Sequence, residues 1–348
     1  MSIIINGAKV ISRQNQFSSN ELDAIVKERS RRILERFGKV AISEVKDPKL
    51  LAILKEVRGY WEDQFRPALT SFSCEAVGGK ANAADDAGLM FTLASSGFGL
   101  HDDVLDKSSS KHLRNTILGL YGSDSALLVG DLLMFKAWTV VHEMIRKTRK
   151  PLKIADIVQV YGRFSVEICE AEFMETLCRR NLEISLEYHM NFKWKAMAEI
   201  EACSRIGAIM GDGRTKEINA LGEFGRRLGF ISRLADDIED CLNLKGDLVH
   251  RIEFESVPLP LLYAAKSSTE KYLTIKHITE KSQISPSDVR KLLGLCFETE
   301  AFKYFLQIAK ENEEAGVYKL QTLKNSSARN VLFSLIKLSY AHVAELCL

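Results

Sequence analysis

His101-Asp102-Asp103-Val104-Leu105-Asp106 is an acidic turn set among apolar residues, with Phe98 and Leu100 before it and Val104 and Leu105 inside it. At helical spacing Asp102 and Asp106 stand on one face a turn apart, and Asp103 lies about 100° round the helix. The pair on one face repels. At ~6 Å and an effective dielectric between 80 and 20 it costs roughly 1 to 3 kcal/mol, so a cation is expected to offset it. The same word recurs as Asp236-Asp237-Ile238-Glu239-Asp240, again after apolar residues (Phe230, Ile231, Leu234). Two matched acidic turns point to one shared site.

Upstream of the first turn, from Lys80 to Gly97, small and apolar residues are dense (Ala84, Ala87, Leu89, Met90, Phe91, Leu93, Ala94), which suits a helix packed on several sides at the centre of the fold. Gly97 and Gly99 bracket Phe98, either loosening that helix or leaving space beside a ligand. Ser18-Ser19-Asn20-Glu21 has capping-box spacing, and Asp47-Pro48 reads as an N-cap followed by proline at the first helical position. Gly78-Gly79 breaks the chain before the central helix. The chain has only six prolines and none between Pro151 and Pro258, which permits a long succession of helices. Further helices are expected at 155–182, 185–211, 215–244, 257–268, 286–313 and 327–347. The fold class is all-α, a single domain over 1–348 with 1–45 as a helical extension of the same domain.

With 348 residues and 46% hydrophobic content the chain can bury a large core. Lys plus Arg (48) nearly balances Asp plus Glu (46), so no nucleic-acid or anionic-membrane partner is indicated. The seven cysteines are odd in number and scattered without a C-x-x-C pair, which fits a reducing cytosol and argues against a zinc or disulfide framework. The most apolar window, Ile117 to Val141, is broken by Asp124, Asp131 and Lys136, falls short of a membrane span, and reads as a buried core helix.

A lone D-D-x-x-D is more often an exposed acidic turn than a site. Asp85-Asp86, with Leu89 where a third carboxylate would stand, is assigned that structural role. Two complete copies beside core-forming residues reverse the odds, because buried carboxylates are costly unless they neutralise or meet cations. The ion expected is Mg²⁺, a hard cation held by a few carboxylates together with substrate phosphates. His101 is assigned to hydrogen bonding within the fold. Arg233, three residues before Asp236, is placed either to pair with that aspartate or to touch a bound phosphate.

From about Phe72 to Leu262 the chain resembles the trans-type polyprenyl (isoprenyl diphosphate) synthases and the class I terpene synthases that share their helical fold. The resemblance is carried by Gly78-Gly79-Lys80, Asp102-Asp103-x-x-Asp106, Tyr121-Gly122, Gly130-Asp131, Lys195 before Gly207-Ala208, Asp236-Asp237-x-x-Asp240, and Leu259-Pro260-Leu261-Leu262-Tyr263-Ala264. Departures are heaviest on the side that the family uses for isopentenyl diphosphate, with others on the allylic side, where both acidic turns and Lys195 remain. The two arginines that follow Gly-Gly-Lys there are replaced by Ala81 and Ala83, the Arg-Arg-Gly after the first acidic turn is Lys111-His112-Leu113, and a helix histidine aligns with Ser95. The usual Thr after the lysine is Ala196, Phe-Gln before the second turn is Ser232-Arg233, a late Gly-Lys aligns with Glu255-Ser256, and the segment around Lys245 is short.

The resemblance implies that Asp102 and Asp106 hold two Mg²⁺ and Asp236 a third, with Asp103, Asp237 and Asp240 completing the metal-binding set. It also implies that Lys111, Lys195 and Arg233 help hold the leaving diphosphate and that Lys80 is what remains of the isopentenyl diphosphate site, with Phe98 and Phe91 either walling an apolar cavity or packing in the core. The catalytic set is then Asp102, Asp106, Asp236 and Lys195, and the substrate an allylic isoprenyl diphosphate such as farnesyl or geranylgeranyl diphosphate. The expected reaction is that of a one-substrate terpene synthase. Its alternatives are a prenyltransferase using isopentenyl diphosphate or another acceptor, and a non-catalytic partner of a synthase. A homodimer is the default of the family.

Overall fold

The computed structural model describes residues 17–111, 114–147, 151–243 and 246–347, and these are helical almost throughout. His112 and Lys245 lie outside the described residues. The first half of the chain forms α1 (Ser19–Val40), α2 (Pro48–Tyr60), α3 (Phe65–Ala76), α4 (Asp85–Leu105), α5 (Ile117–Lys147) and α6 (Pro151–Cys178). Then follow α7 (Leu186–Ala196), α8 (Ala198–Met210), α9 (Thr215–Leu242), α10 (Leu248–Phe254) and α11 (Leu259–Lys266). The chain closes with α12 (Thr269–Thr279), α13 (Pro286–Glu298), α14 (Ala301–Gln321), α15 (Ser327–Leu338) and α16 (Ala341–Cys347). A two-residue hairpin, β1 (Ser110–Lys111) with β2 (Arg114–Asn115), follows the first acidic turn. The all-α expectation holds.

Local signals in the sequence set the helix ends. Ser18 and Glu21 close a capping box on α1, and the Asp47 carboxylate accepts from the Leu50 N–H at 2.8 Å with Pro48 beginning α2. Gly78, at φ +97°, ends α3 in the left-handed region that glycine enters without penalty. The helices expected over 185–211, 286–313 and 327–347 are each broken in two. Glu300, at φ +55°, stops α13 before α14 begins.

α4 is the central helix: Ala87 to Gly97 are buried without interruption, with α1, α3, α5 and α8 packed around it. The glycines near its end serve packing. A Cβ on Gly97 would fall 2.6 Å from the Gly130 carbonyl oxygen, so these positions let α4 and α5 cross in near backbone contact. His101 Nε2 lies 3.1 Å from the Leu127 carbonyl and 3.3 Å from the Asp131 carboxylate, tying the same two helices together.

α5 corrects the reading of a buried core helix. In its most apolar stretch only 28% of residues are buried, and by length and composition it is, among the described residues, long and apolar enough to cross a membrane. One face packs on α4 while Leu128 and Phe135 stand bare. Asp85 and Asp86 have the structural role assigned to them: Asp85 pairs with Arg32 at 2.7 Å, and Asp86 with Arg36 and Lys147 at 2.6 and 2.9 Å.

Candidate active site

α4 delivers the first acidic turn at its C-terminal end, where the chain leaves the helix into the β1–β2 hairpin. That hairpin folds Lys111 back, so its Nζ stands 3.0 Å from Asp102 and 2.8 Å from Asp103 and supplies the expected cation. Asp103, turned round the helix from the other two, is buried under this contact, whereas Asp102 remains 39% exposed. Asp106 is nearly buried and reaches Arg179 at 3.3 Å, at the end of α6. Burial, with Asp102, Glu255 and Glu175 close by, pushes the Asp106 carboxyl up to about 9.

α6 forms a wall that sequence reading missed. Glu172 and Glu175, three residues apart on one face, approach the first turn, and burial together with Asp102 and Glu175 pushes Glu172 up to about 8. Glu175 is buried as well, but Lys193, Arg233 and Arg251 outweigh that burial and bring it down to about 2. Its carboxylate accepts from Ser256 Oγ and lies 3.7 Å from Arg233 on α9, linking the wall to the second turn. Among the described residues, the Nε groups of Arg179 and Arg233 are buried donors without partners. The sequence signal was present in Glu172-Phe173-Met174-Glu175, but a single carboxylate pair on a helix looks like solvated surface.

The second turn divides its labour. Asp236 is exposed and, among the described residues, has no hydrogen-bond or ion-pair partner, though surrounding protein raises its pKa by burial. Asp237 points the other way into the core. Lys193 donates to its Oδ1 at 2.9 Å, Arg251 at 3.1 Å, and the Leu259 N–H to Oδ2 at 3.1 Å. Burial opposes the charge on Asp237, but these cations win and hold its carboxyl below the usual range. Both its oxygens are engaged, so this geometry gives it a structural place and does not bear out the expected metal-binding role. Asp240 shares Arg251 at 3.3 Å, and burial pushes it up to about 6.

Two expected substrate lysines stand elsewhere. Lys195 is held by Glu170 at 2.6 Å, and Glu170 lies about 140° and 200° round α6 from Glu175 and Glu172, away from the wall. The α7 lysine that reaches the site is Lys193, whose ammonium is fully buried. Lys80 precedes α4, whose 21 residues span ~30 Å, so it sits at the opposite end of that helix from Asp102. The Gly-Gly-Lys match is therefore a helix-terminating elbow, and Ala81 and Ala83 bear on no diphosphate beside the acidic turns. Phe98, by contrast, sits one turn before Asp102, edge-on to Phe164 at 6.2 Å, and Phe91 packs on the same ring at 5.7 Å. Phe91 and Phe164 are fully buried, so these rings pack in the core, with only Phe98 partly exposed.

The chain matches the family model of the polyprenyl synthetases over residues 53–296, more than half its length. It is 25% identical over 323 residues to a short chain isoprenyl diphosphate synthase from Methanothermobacter thermautotrophicus, covering 86% of this chain and 94% of the relative. The structure superposes on a geranylgeranyl pyrophosphate synthetase from Pyrococcus horikoshii with a TM-score of 0.83 and 26% identity, over 92% of this chain and 98% of the other. A decaprenyl diphosphate synthase from Rhodobacter capsulatus shares the fold at a TM-score of 0.81, with 19% identity over 93% and 99% of the two chains. These proteins are named as diphosphate synthases, and their names lend no support to the expected one-substrate terpene synthase. Over a helical fold that brings two acidic turns to one wall, this chain belongs to the polyprenyl synthetase family.

Proposed function

We propose that the protein is a prenyltransferase that ionises an allylic isoprenyl diphosphate, such as farnesyl or geranylgeranyl diphosphate, and passes the prenyl group to an acceptor. The observation that carries this is the pairing of surplus carboxylates with unsatisfied guanidinium donors. Asp102, Asp106 and Asp236 stand round a wall whose Arg179 and Arg233 each keep a buried N–H without a partner. A diphosphate would complete those donors through charge-assisted hydrogen bonds.

The donor set fits Mg²⁺. Its groups are hard carboxylate oxygens, and Mg²⁺ is held by one or two carboxylates plus substrate phosphates. We assign Asp102 and Asp106 to it on one side and Asp236 on the other, with Asp240 in support; three ions is the number we propose. Bound Mg²⁺ supplies charge neutralisation to the departing diphosphate. Lys111, Arg179 and Arg233 orient the phosphates, and Phe98 with the Phe164 ring keeps water from the allylic carbon and presents an aromatic face to positive charge there.

Incubation with geranyl, farnesyl and geranylgeranyl diphosphate in Mg²⁺, with products and pyrophosphate analysed, tests this reading. Turnover that stops in excess chelator is expected. Full turnover in chelator would sink the metal assignment, and no pyrophosphate release from any of the three would leave a non-catalytic partner as the better reading.

We further propose a cytosolic homodimer. The compartment rests on the odd, scattered cysteines. The dimer rests on exposed apolar residues at seven-residue spacing, Leu128 with Phe135 on α5 and Val166 with Phe173 on α6, since clustered bare apolar residues mark interaction surfaces. Light scattering is expected to give twice the chain mass, with Phe135→Glu/Phe173→Glu reducing it to one; a monomeric wild type overturns the assignment.

A further inference from the structure

The sequence places Ser95 where the family's histidine approaches the second substrate, and the structure shows what surrounds it. Ser95 lies seven residues, two helical turns, before Asp102 on the same face of α4, ~10 Å along the helix. It is buried, and its hydroxyl donates to Asp63 Oδ2 at 3.4 Å. That same oxygen accepts from Arg66 Nη1 at 3.2 Å, while Arg66 Nε donates to Glu199 Oε2 at 2.7 Å. Arg66 is thus enclosed by two carboxylates, giving Asp63, Arg66 and Glu199 a formal net charge of −1, with burial raising the Glu199 carboxyl above its ordinary value.

Two further atoms say what is missing. Glu199, 3% exposed, has its second oxygen, Oε1, buried with no donor among the described residues. Trp61, whose ring covers Gly99 one turn beyond Ser95, has a buried Nε1 with no acceptor. A diphosphate brings negative charge and acceptors only, so it answers Trp61 but meets Glu199 and Asp63 as like charges. A hydroxyl offers both the donor and the acceptor.

We propose that Asp63 and Glu199 are specificity-determining residues that close the acceptor corner to isopentenyl diphosphate and fit it to an uncharged, hydroxyl-bearing acceptor. This rests on the prenyl-transfer reading above, so the test separates the two. Calorimetry on the full chain in excess chelator, without allylic substrate, compares isopentenyl diphosphate with isopentenol, the same hydrocarbon as a neutral alcohol. Wild type is expected to bind the alcohol more tightly than the diphosphate. Asp63→Lys/Glu199→Gln is expected to gain ~100-fold in affinity for the diphosphate, since it removes two like charges and adds an opposite one. The nearly isosteric Asp63→Asn and Glu199→Gln variants, which keep the side-chain volumes, are each expected to shift the preference in the same direction if the double variant does not fold. Tighter binding of the diphosphate by wild type, binding of neither probe, or no gain in any variant overturns the inference. Pyrophosphate release from farnesyl diphosphate in Mg²⁺ is read separately, and its failure counts against the proposed function while the binding comparison still judges the corner.

Discussion

Asp237→Ala is expected to lower stability in urea unfolding by about 3 to 5 kcal/mol, the range for breaking a buried ion pair by removing one partner. The magnitude follows from what is left behind. Lys193 is fully buried and its ammonium donates to Asp237 at 2.9 Å, so alanine strands a charge with no route to water. Arg251 loses a partner too, although Asp240 and Glu255 still hold it. The Leu259 N–H, at the start of α11, becomes an unpaired buried donor. If the loss is under ~1 kcal/mol while activity disappears, Asp237 belongs with the metal-binding carboxylates after all and the structural assignment is wrong.

The opposite outcome is expected one residue earlier. Asp236→Ala, and likewise Asp102→Ala, is expected to reduce pyrophosphate release at least ~100-fold with little change in the urea midpoint, because each removes transition-state stabilisation and not packing. Asp236 has no partner to strand among the described residues, and Asp102 gives up only a half-exposed contact to Lys111, which keeps Asp103 at 2.8 Å. Asp85→Ala serves as the control. It breaks a pair with a well-exposed Arg32 at the far end of α4, so turnover is expected to stay within about twofold and stability within ~1 kcal/mol. Steady-state assays beside denaturation curves check all three, and an Asp85 variant as inactive as the Asp236 variant would place the site at the wrong end of the helix.

Both acidic turns were legible in the sequence because repetition at helical spacing among apolar residues is hard to produce without a shared purpose. The 100° rotation of the middle aspartate was legible too. Asp103 and Asp237 occupy that position in the two turns, and both are buried against lysine. What the sequence hid was which cation meets which carboxylate. Lys193 and Lys195 are two residues apart on one helix, and only packing decides that the first turns inward while the second meets Glu170. Lys80 misled for a different reason: glycines that terminate a helix and glycines of a binding motif spell the same letters. Of the Asp63, Arg66, Ser95 and Glu199 cluster only Ser95 drew notice in the sequence, because the four come from three separate segments and no local spacing joins them. Arg179 was missed likewise, since Arg179-Arg180 after a helix end carries no pattern that ties it to an acidic turn.

The central claim is that the two acidic turns together hold a metal-bound diphosphate, and calorimetric titration with inorganic pyrophosphate tests it without requiring knowledge of the natural substrate. Binding is expected in Mg²⁺ and not in chelator, and either Asp102→Ala or Asp236→Ala is expected to weaken it at least ~10-fold, the loss of one charge-assisted contact. Pyrophosphate binding that is indifferent to Mg²⁺, or that survives both substitutions unchanged, would contradict the claim.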